Sequence, residues 1–290
     1  MTLQRLSAHL ALSLTCGLAA GLPLPAQATY QLYGMARAHA TTTAPVPGLG
    51  GTDDLDVNLL NKPGAGQLQA LDTHASNDHG SATARFLGRI GLLKAYATSD
   101  YAYCCIGGTT VHDGYADATV QGRFYDEVLV QGAGLADGTP VSYRLDLRLS
   151  GTVTRPNFES GGRYSADALA EAGLRDLSTG AAANFSWDAR RQDTGVFSLT
   201  VQTAVGHRLA ILGMLYAGTY VAAGALVARS AEVDFYHSAG YTLAPSVAGL
   251  STLGESGYDF SAAAVPEPGT WALLLAGGLL LALRARQARR

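Results

Sequence analysis

Val141, Tyr143, Leu145, Leu147 and Leu149 alternate strictly with Ser142, Arg144, Asp146 and Arg148. A period of two places the first set on one face of a β-strand and the second in water. Val196 to Gln202 repeats the rhythm, with Phe197, Leu199 and Val201 inward, and Ala231 to Tyr236 repeats it again. Arg85 to Thr98 and Ala118 to Val130 carry the same texture less strictly. Leu55 to Leu60 predicts a short strand closed by a turn at Asn61-Lys62-Pro63-Gly64. Glycines punctuate these segments at Gly132 and Gly134, Gly138, Gly161-Gly162 and Gly195. The polar run Asp72 to Gly80 and the stretch Pro45 to Gly51 are expected as loops.

Two segments break the rhythm. Ser165 to Leu177, rich in Ala, Leu and Glu, predicts a short helix. Leu209 to Val227 is long and apolar, but Gly213, Gly218 and Gly224 interrupt it and Tyr216 and Tyr220 add polar tips. Two adjoining buried strands are expected there rather than a membrane span. Together the pattern implies an all-β fold: an antiparallel β-sandwich, jelly-roll-like, with one short helix.

The two ends follow a different logic. Arg5, an apolar segment from Leu6 to Leu22 and the small residues Ala26 and Ala28 around Gln27 have the order of a secretory signal over residues 1–28. Signal peptidase cleavage is expected to leave Thr29 as the first residue. At the other end stand Pro266, Glu267 and Pro268, then an apolar stretch from Trp271 to Leu283, then Arg284, Arg286, Arg289 and Arg290. The prolines disfavour helix before Gly269. The arginines should stay cytoplasmic under the positive-inside rule. Thirteen apolar residues fall short of the roughly 20 that span a membrane comfortably, which suits a temporary stop.

This Pro-Glu-Pro, apolar helix and arginine cluster at the extreme C-terminus resembles the PEP-CTERM sorting signal. The resemblance covers 265–290 and implies processing by an exosortase, a membrane-embedded enzyme, in bacteria that also make exopolysaccharide. Domains are therefore expected as a signal peptide (1–28), an extracytoplasmic β-sandwich (29–245), a stalk rich in Ala, Ser and Gly (246–264) and a sorting tail with a transmembrane helix (265–290). The expected location is the envelope membrane transiently, then the cell surface or extracellular matrix.

Composition narrows the partners. Without its two ends the chain carries 15 basic and 22 acidic residues, and an acidic body argues against nucleic acid. Of three cysteines, Cys16 lies in the signal segment, leaving adjacent Cys104 and Cys105. Neighbours in sequence cannot staple distant strands, and a redox role would call for a Cys-x-x-Cys motif. Their state is left open.

Asp54, Asp56 and Asn58 have the spacing of the first ligands of a calcium loop, but Leu59 and Ala65 occupy its glycine and glutamate positions. A calcium site of another geometry stays open; the plainer expectation is a solvated loop. His74, Asn77, Asp78 and His79 match no zinc spacing. Trp187, beside Asn184 and Asp188, is the best single candidate for stacking on a sugar, although the plainer expectation for such an aromatic is a place in the core. The sequence carries no Gly-x-Ser-x-Gly, His-Glu-x-x-His, P-loop or dinucleotide motif, so no catalytic residue and no cofactor is expected. The leading expectation is a non-enzymatic exported cargo. The rivals are a lectin-like module for exopolysaccharide, calcium-dependent or not, and a secreted hydrolase with an unrecognised site.

Overall fold

The computed structural model describes residues 30–43, 52–63, 67–77, 79–101, 113–155, 164–222 and 229–261. Twelve strands run through them: β1 (Gln31–Thr43), β2 (Thr52–Pro63), β3 (Gln69–Ser76), β4 (Gly80–Arg89), β5 (Leu92–Tyr101), β6 (Asp113–Leu129), β7 (Pro140–Thr154), β8 (Tyr164–Asp176), β9 (Ala182–Asp188), β10 (Gly195–Ala204), β11 (Arg208–Ala222) and β12 (Arg229–Pro245). They form two six-stranded sheets. Sheet A has the order β2-β1-β6-β11-β8-β9 and sheet B the order β10-β7-β12-β5-β4-β3. Every pairing is antiparallel.

The last eight strands nest. β8 pairs with β9, β7 with β10, β6 with β11 and β5 with β12. A long two-stranded ribbon has thus been rolled so that successive pairs alternate between sheets, which is the jelly roll. The first four strands extend it. The hairpin β1–β2 adds to sheet A beside β6, and the hairpin β3–β4 adds to sheet B beside β5.

The core between the sheets is graded. Phe86, Phe124, Tyr143, Leu145, Leu147, Tyr241 and Phe260 fill one end. Alanines line the other: Ala38, Ala40, Ala82, Ala84, Ala95, Ala97, Ala116, Ala118, Ala166 and Ala168 are all buried. There the sheets come close enough for Ser99 Oγ on β5 and Thr219 Oγ1 on β11 to bond at 2.6 Å. At the bulky end the Phe86 ring of sheet B reaches across to sheet A and lies on a floor made by the paired Gly34 and Gly122. A Cβ on Gly122 would sit 2.3 Å from the ring.

Several expectations are corrected. The expected helix at 165–177 is strand β8 as far as Asp176: Ala166, Ala168, Ala170 and Ala172 face inward at every second position. The segment 85–98 is not one strand but a hairpin, turned at Ile90-Gly91, with Gly91 at φ 75°. The expected loop at 72–80 is mostly β3. The apolar stretch from Leu209 is a single strand through Ala222 rather than two. The short strand at 55–60 runs from Thr52 to Pro63.

The expected stalk is folded onto the body as far as Ser261. Ser251 and Glu255 donate backbone N–H groups to Gln131 and Glu127, and Leu243 donates to Phe260. Phe260 is fully buried against Phe124. The solvent-free carboxylate of Asp126 accepts from the backbone N–H and the hydroxyl of Ser256. Burial pushes the Asp126 carboxyl above the usual range, while these donors pull it back. Residues 246–261 therefore form a strap that closes the bulky end of the sandwich.

Candidate functional site

The calcium candidates lie on β2, the edge of sheet A, facing β3, the edge of sheet B. Asp54 Oδ2 accepts the Ser76 N–H at 2.8 Å, Asp56 Oδ2 the His74 N–H at 3.3 Å, and Asn58 Nδ2 donates to the Asp72 carbonyl at 3.0 Å. The Asp-x-Asp-x-Asn spacing is thus a side-chain zipper. Three alternate side chains of β2 each satisfy an edge backbone group of β3, joining the two sheet edges without a shared ladder. An exposed sheet edge is a template for unwanted pairing, and inward-pointing charge is one way to block it. Among the described residues no cluster of three or more His, Cys, Asp and Glu could hold a metal ion.

The other candidates disperse. His74 Nδ1 lies 3.0 Å from Thr83 Oγ1, and Asn77 Oδ1 accepts from His79 and Gly80 N–H in the β3–β4 turn. Trp187 is 1% exposed, donates its indole N–H to the Asp193 carbonyl and packs edge-on against Phe235. It is a core residue and offers no face to a sugar. Asn184 is a β9 residue opposite Gly173, and Asp188 accepts the Arg190 N–H at the turn after β9. Asp78, Cys104, Cys105, the signal residues Ala26 and Ala28, Pro266, Glu267, Pro268 and the four terminal arginines lie outside the described residues.

Strand register assembles a cluster that the linear sequence does not. On the outer face of sheet A, His39 (β1) stands opposite Asp117 (β6), which stands opposite Tyr220 (β11). The next outward row is Arg37, Thr119, Gly218 and Asp167. Opposed residues on one face lie about 5 Å apart, so both rows are contiguous. Arg37 Nη1 donates to Asp117 Oδ2 at 2.6 Å. His39 Nε2 lies 2.5 Å from Asp53 Oδ1, and its Nδ1 lies 3.4 Å from Asp117 Oδ1. Tyr115 meets His39 edge-on, with ring centres 5.1 Å apart, and lies 5.4 Å from the Tyr220 ring. Burial pushes the Asp117 carboxyl up, against the pull of Arg37 and His39.

On the far side of the row, Arg190 grips Asp167 through two nitrogens. Between the two Arg–Asp pairs the Tyr216 phenol lies over Gly218: a Cβ there would sit 2.3 Å from the Tyr216 hydroxyl. Burial raises the Tyr216 pKa, and the Asp167 charge adds to it. Half-buried tyrosines thus lie between two ion pairs on a sheet face, an arrangement suited to stacking and hydrogen bonding. The available sequence signal was Tyr216-x-Gly218-x-Tyr220, outward positions of one strand. Its partners come from β1, β6, β8 and the turn after β9, and only register joins them.

Comparison with known proteins bears on the tail. Residues 264–290 match the family model described as the PEP-CTERM protein-sorting motif. Such a motif implies export, processing by an exosortase and sorting to the cell surface. Among curated proteins and among solved structures, none matches the chain.

Proposed function

We propose, from the premise that the chain ends in a PEP-CTERM sorting motif, that it is a non-enzymatic exported protein whose jelly roll is the delivered cargo. Residues 1–28 direct secretion and are removed by signal peptidase. The apolar helix from Trp271 to Leu283 then holds the chain at the membrane, the arginine cluster stops transfer, and the exosortase acts near Pro266-Glu267-Pro268. The match at 264–290 is the observation that carries this reading.

The docked strap adds a constraint. Buried Phe260 precedes Pro266 by six residues, which at full extension cover about 20 Å. The folded body thus stays close to the motif during processing, so the processing enzyme works beside a completed sandwich rather than at the end of a long tether. On the outer face the polar groups are engaged with one another, Asp117 with Arg37 and Asp167 with Arg190. Such fixed, paired groups suit a body that binds or presents.

The test is the intact mass and both termini of the mature chain from its native host, for wild type and Glu267→Ala. The expected wild-type product begins at Thr29 and ends near Pro268, while the variant keeps its arginine tail in the membrane. Full tails on both chains would overturn the sorting reading.

A further inference from the structure

We propose that the outer face of sheet A around Tyr216, Tyr220 and Tyr115 binds an uncharged saccharide segment of a glycan chain. The proposal deepens the delivery reading by naming what the delivered body holds. It rests on that reading for location only, since a missorted chain keeps the same face.

The first argument is shape. Gly218 has no side chain, and the Tyr216 phenol occupies the space above it. The ring therefore lies down along the sheet instead of standing out from it. Tyr220 and Tyr115, with ring centres 5.4 Å apart and planes 31° from each other, continue the aromatic surface toward the alanine-lined end. The Tyr216 hydroxyl sits over Gly218, two residues or about 7 Å of strand from Tyr220, and the Tyr115 ring adds a further 5.4 Å. That is longer than a monosaccharide, so the surface fits a chain segment. Aromatic rings have an electron-rich face, which attracts the C–H-lined face of a sugar ring.

The second argument is charge. Three guanidinium groups border the surface: Arg37 faces Asp117, and Arg190 and Arg155 share Asp167, while a third carboxylate, Asp53, lies against His39. Positive and negative groups are thus interspersed in equal number, and no single sign dominates the surface to draw a phosphate, sulfate or uronate. The pairs still have capacity. A guanidinium has five N–H donors and a carboxylate about four acceptor positions, more than one mutual pairing consumes. Rigid donors and acceptors at the border of a ring platform suit neighbouring hydroxyls. Thr119, opposite Gly218 in the same row, bonds the Tyr216 phenol and so holds the ring in place.

The experiment is native affinity electrophoresis of the full chain in mild detergent. Each gel contains one of dextran, mannan, xylan or hydroxyethyl cellulose, with anionic alginate as the charged comparison. The expected result is retardation by at least one neutral glycan. Tyr216→Ala and Arg190→Ala should each weaken it about tenfold, near the value of one aromatic or charged contact, and Tyr216→Phe should retain most of it. Arg190 is 56% exposed, so its variant tests the site even where Tyr216→Ala disturbs the fold. Glu267→Ala should bind as wild type, which separates this proposal from the sorting reading. Three results would overturn it: no retardation by any of the four neutral glycans, retardation by alginate alone, or undiminished retardation in both Tyr216→Ala and Arg190→Ala.

Discussion

Asp176 gives the sharpest test of the fold's energetics. Its side chain ends β8 with no solvent exposure. Oδ1 accepts the N–H groups of Ser178 at 2.7 Å and Thr179 at 3.0 Å. Oδ2 accepts the Thr203 hydroxyl at 2.7 Å and lies 2.8 Å from His207 Nδ1. One carboxylate therefore joins the β8–β9 turn to β10 and to the turn before β11. Burial alone raises its pKa, but the bonds from His207, Thr203, Thr179 and Ser178 outweigh burial and bring it from 3.8 to about 2. A difference of nearly two units corresponds to roughly 2.5 kcal/mol favouring the folded state when the group is ionised. Because the folded pKa is depressed, this stabilisation is complete above about pH 5 and is lost as pH falls through about 2. Asp176→Asn keeps the volume and removes the charge. Urea unfolding followed by tryptophan fluorescence should show it less stable by about 2 kcal/mol at pH 7, with the gap falling to about half by pH 3. An equal gap at both pH values would refute the electrostatic reasoning and assign the loss to packing.

Other consequences are simpler to read. Gly122→Ala brings a methyl to 2.3 Å from the Phe86 ring and should cost about 1–3 kcal/mol. Pairing it with Phe86→Leu should recover part of that loss in a double-mutant cycle. Asp54→Ala with Asp56→Ala removes the acceptors of the Ser76 and His74 N–H groups, so amide exchange at those two positions should speed up while the β5–β12 ladder stays protected. Trp187→Ala should lower stability by about 3–5 kcal/mol, measured by denaturant midpoint, because the indole is core.

The strands that were easiest to read are those where one face meets large apolar side chains and the other meets water. β7 is the plainest: from Pro140 to Leu149 its burial alternates residue by residue, as its sequence does. β8 was misread because Ala scores as a helix former. Its period-two signal was present, with Ala at 166, 168, 170 and 172. Those positions hold alanine because the opposing sheet leaves room for little more. The β4–β5 turn was hidden because Ile90 is apolar and fully buried, so the chain reverses without a polar interruption. The strap escaped notice because Ser, Gly and Thr also compose flexible linkers. What fixes it is Phe260 in the core and Ser256 on Asp126, contacts with residues more than a hundred positions away.

By itself the sequence determined what depends on local order: an all-β chain and a sorting motif at 264–290, whose proline pair, apolar run and arginines follow one another along the chain. A sorting tail works as a linear signal, so a linear reading finds it. Tertiary structure alone decided everything that depends on register and on which sheet faces which. It placed Asp54, Asp56 and Asn58, weighed as a solvated loop or calcium ligands, in an edge zipper, and Trp187, weighed as core or a sugar platform, in the core. It also assembled Arg37, His39, Asp117, Asp167, Tyr216 and Tyr220 into one outer surface. Those residues meet because antiparallel pairing places distant positions about 5 Å apart, and sequence spacing does not encode that distance.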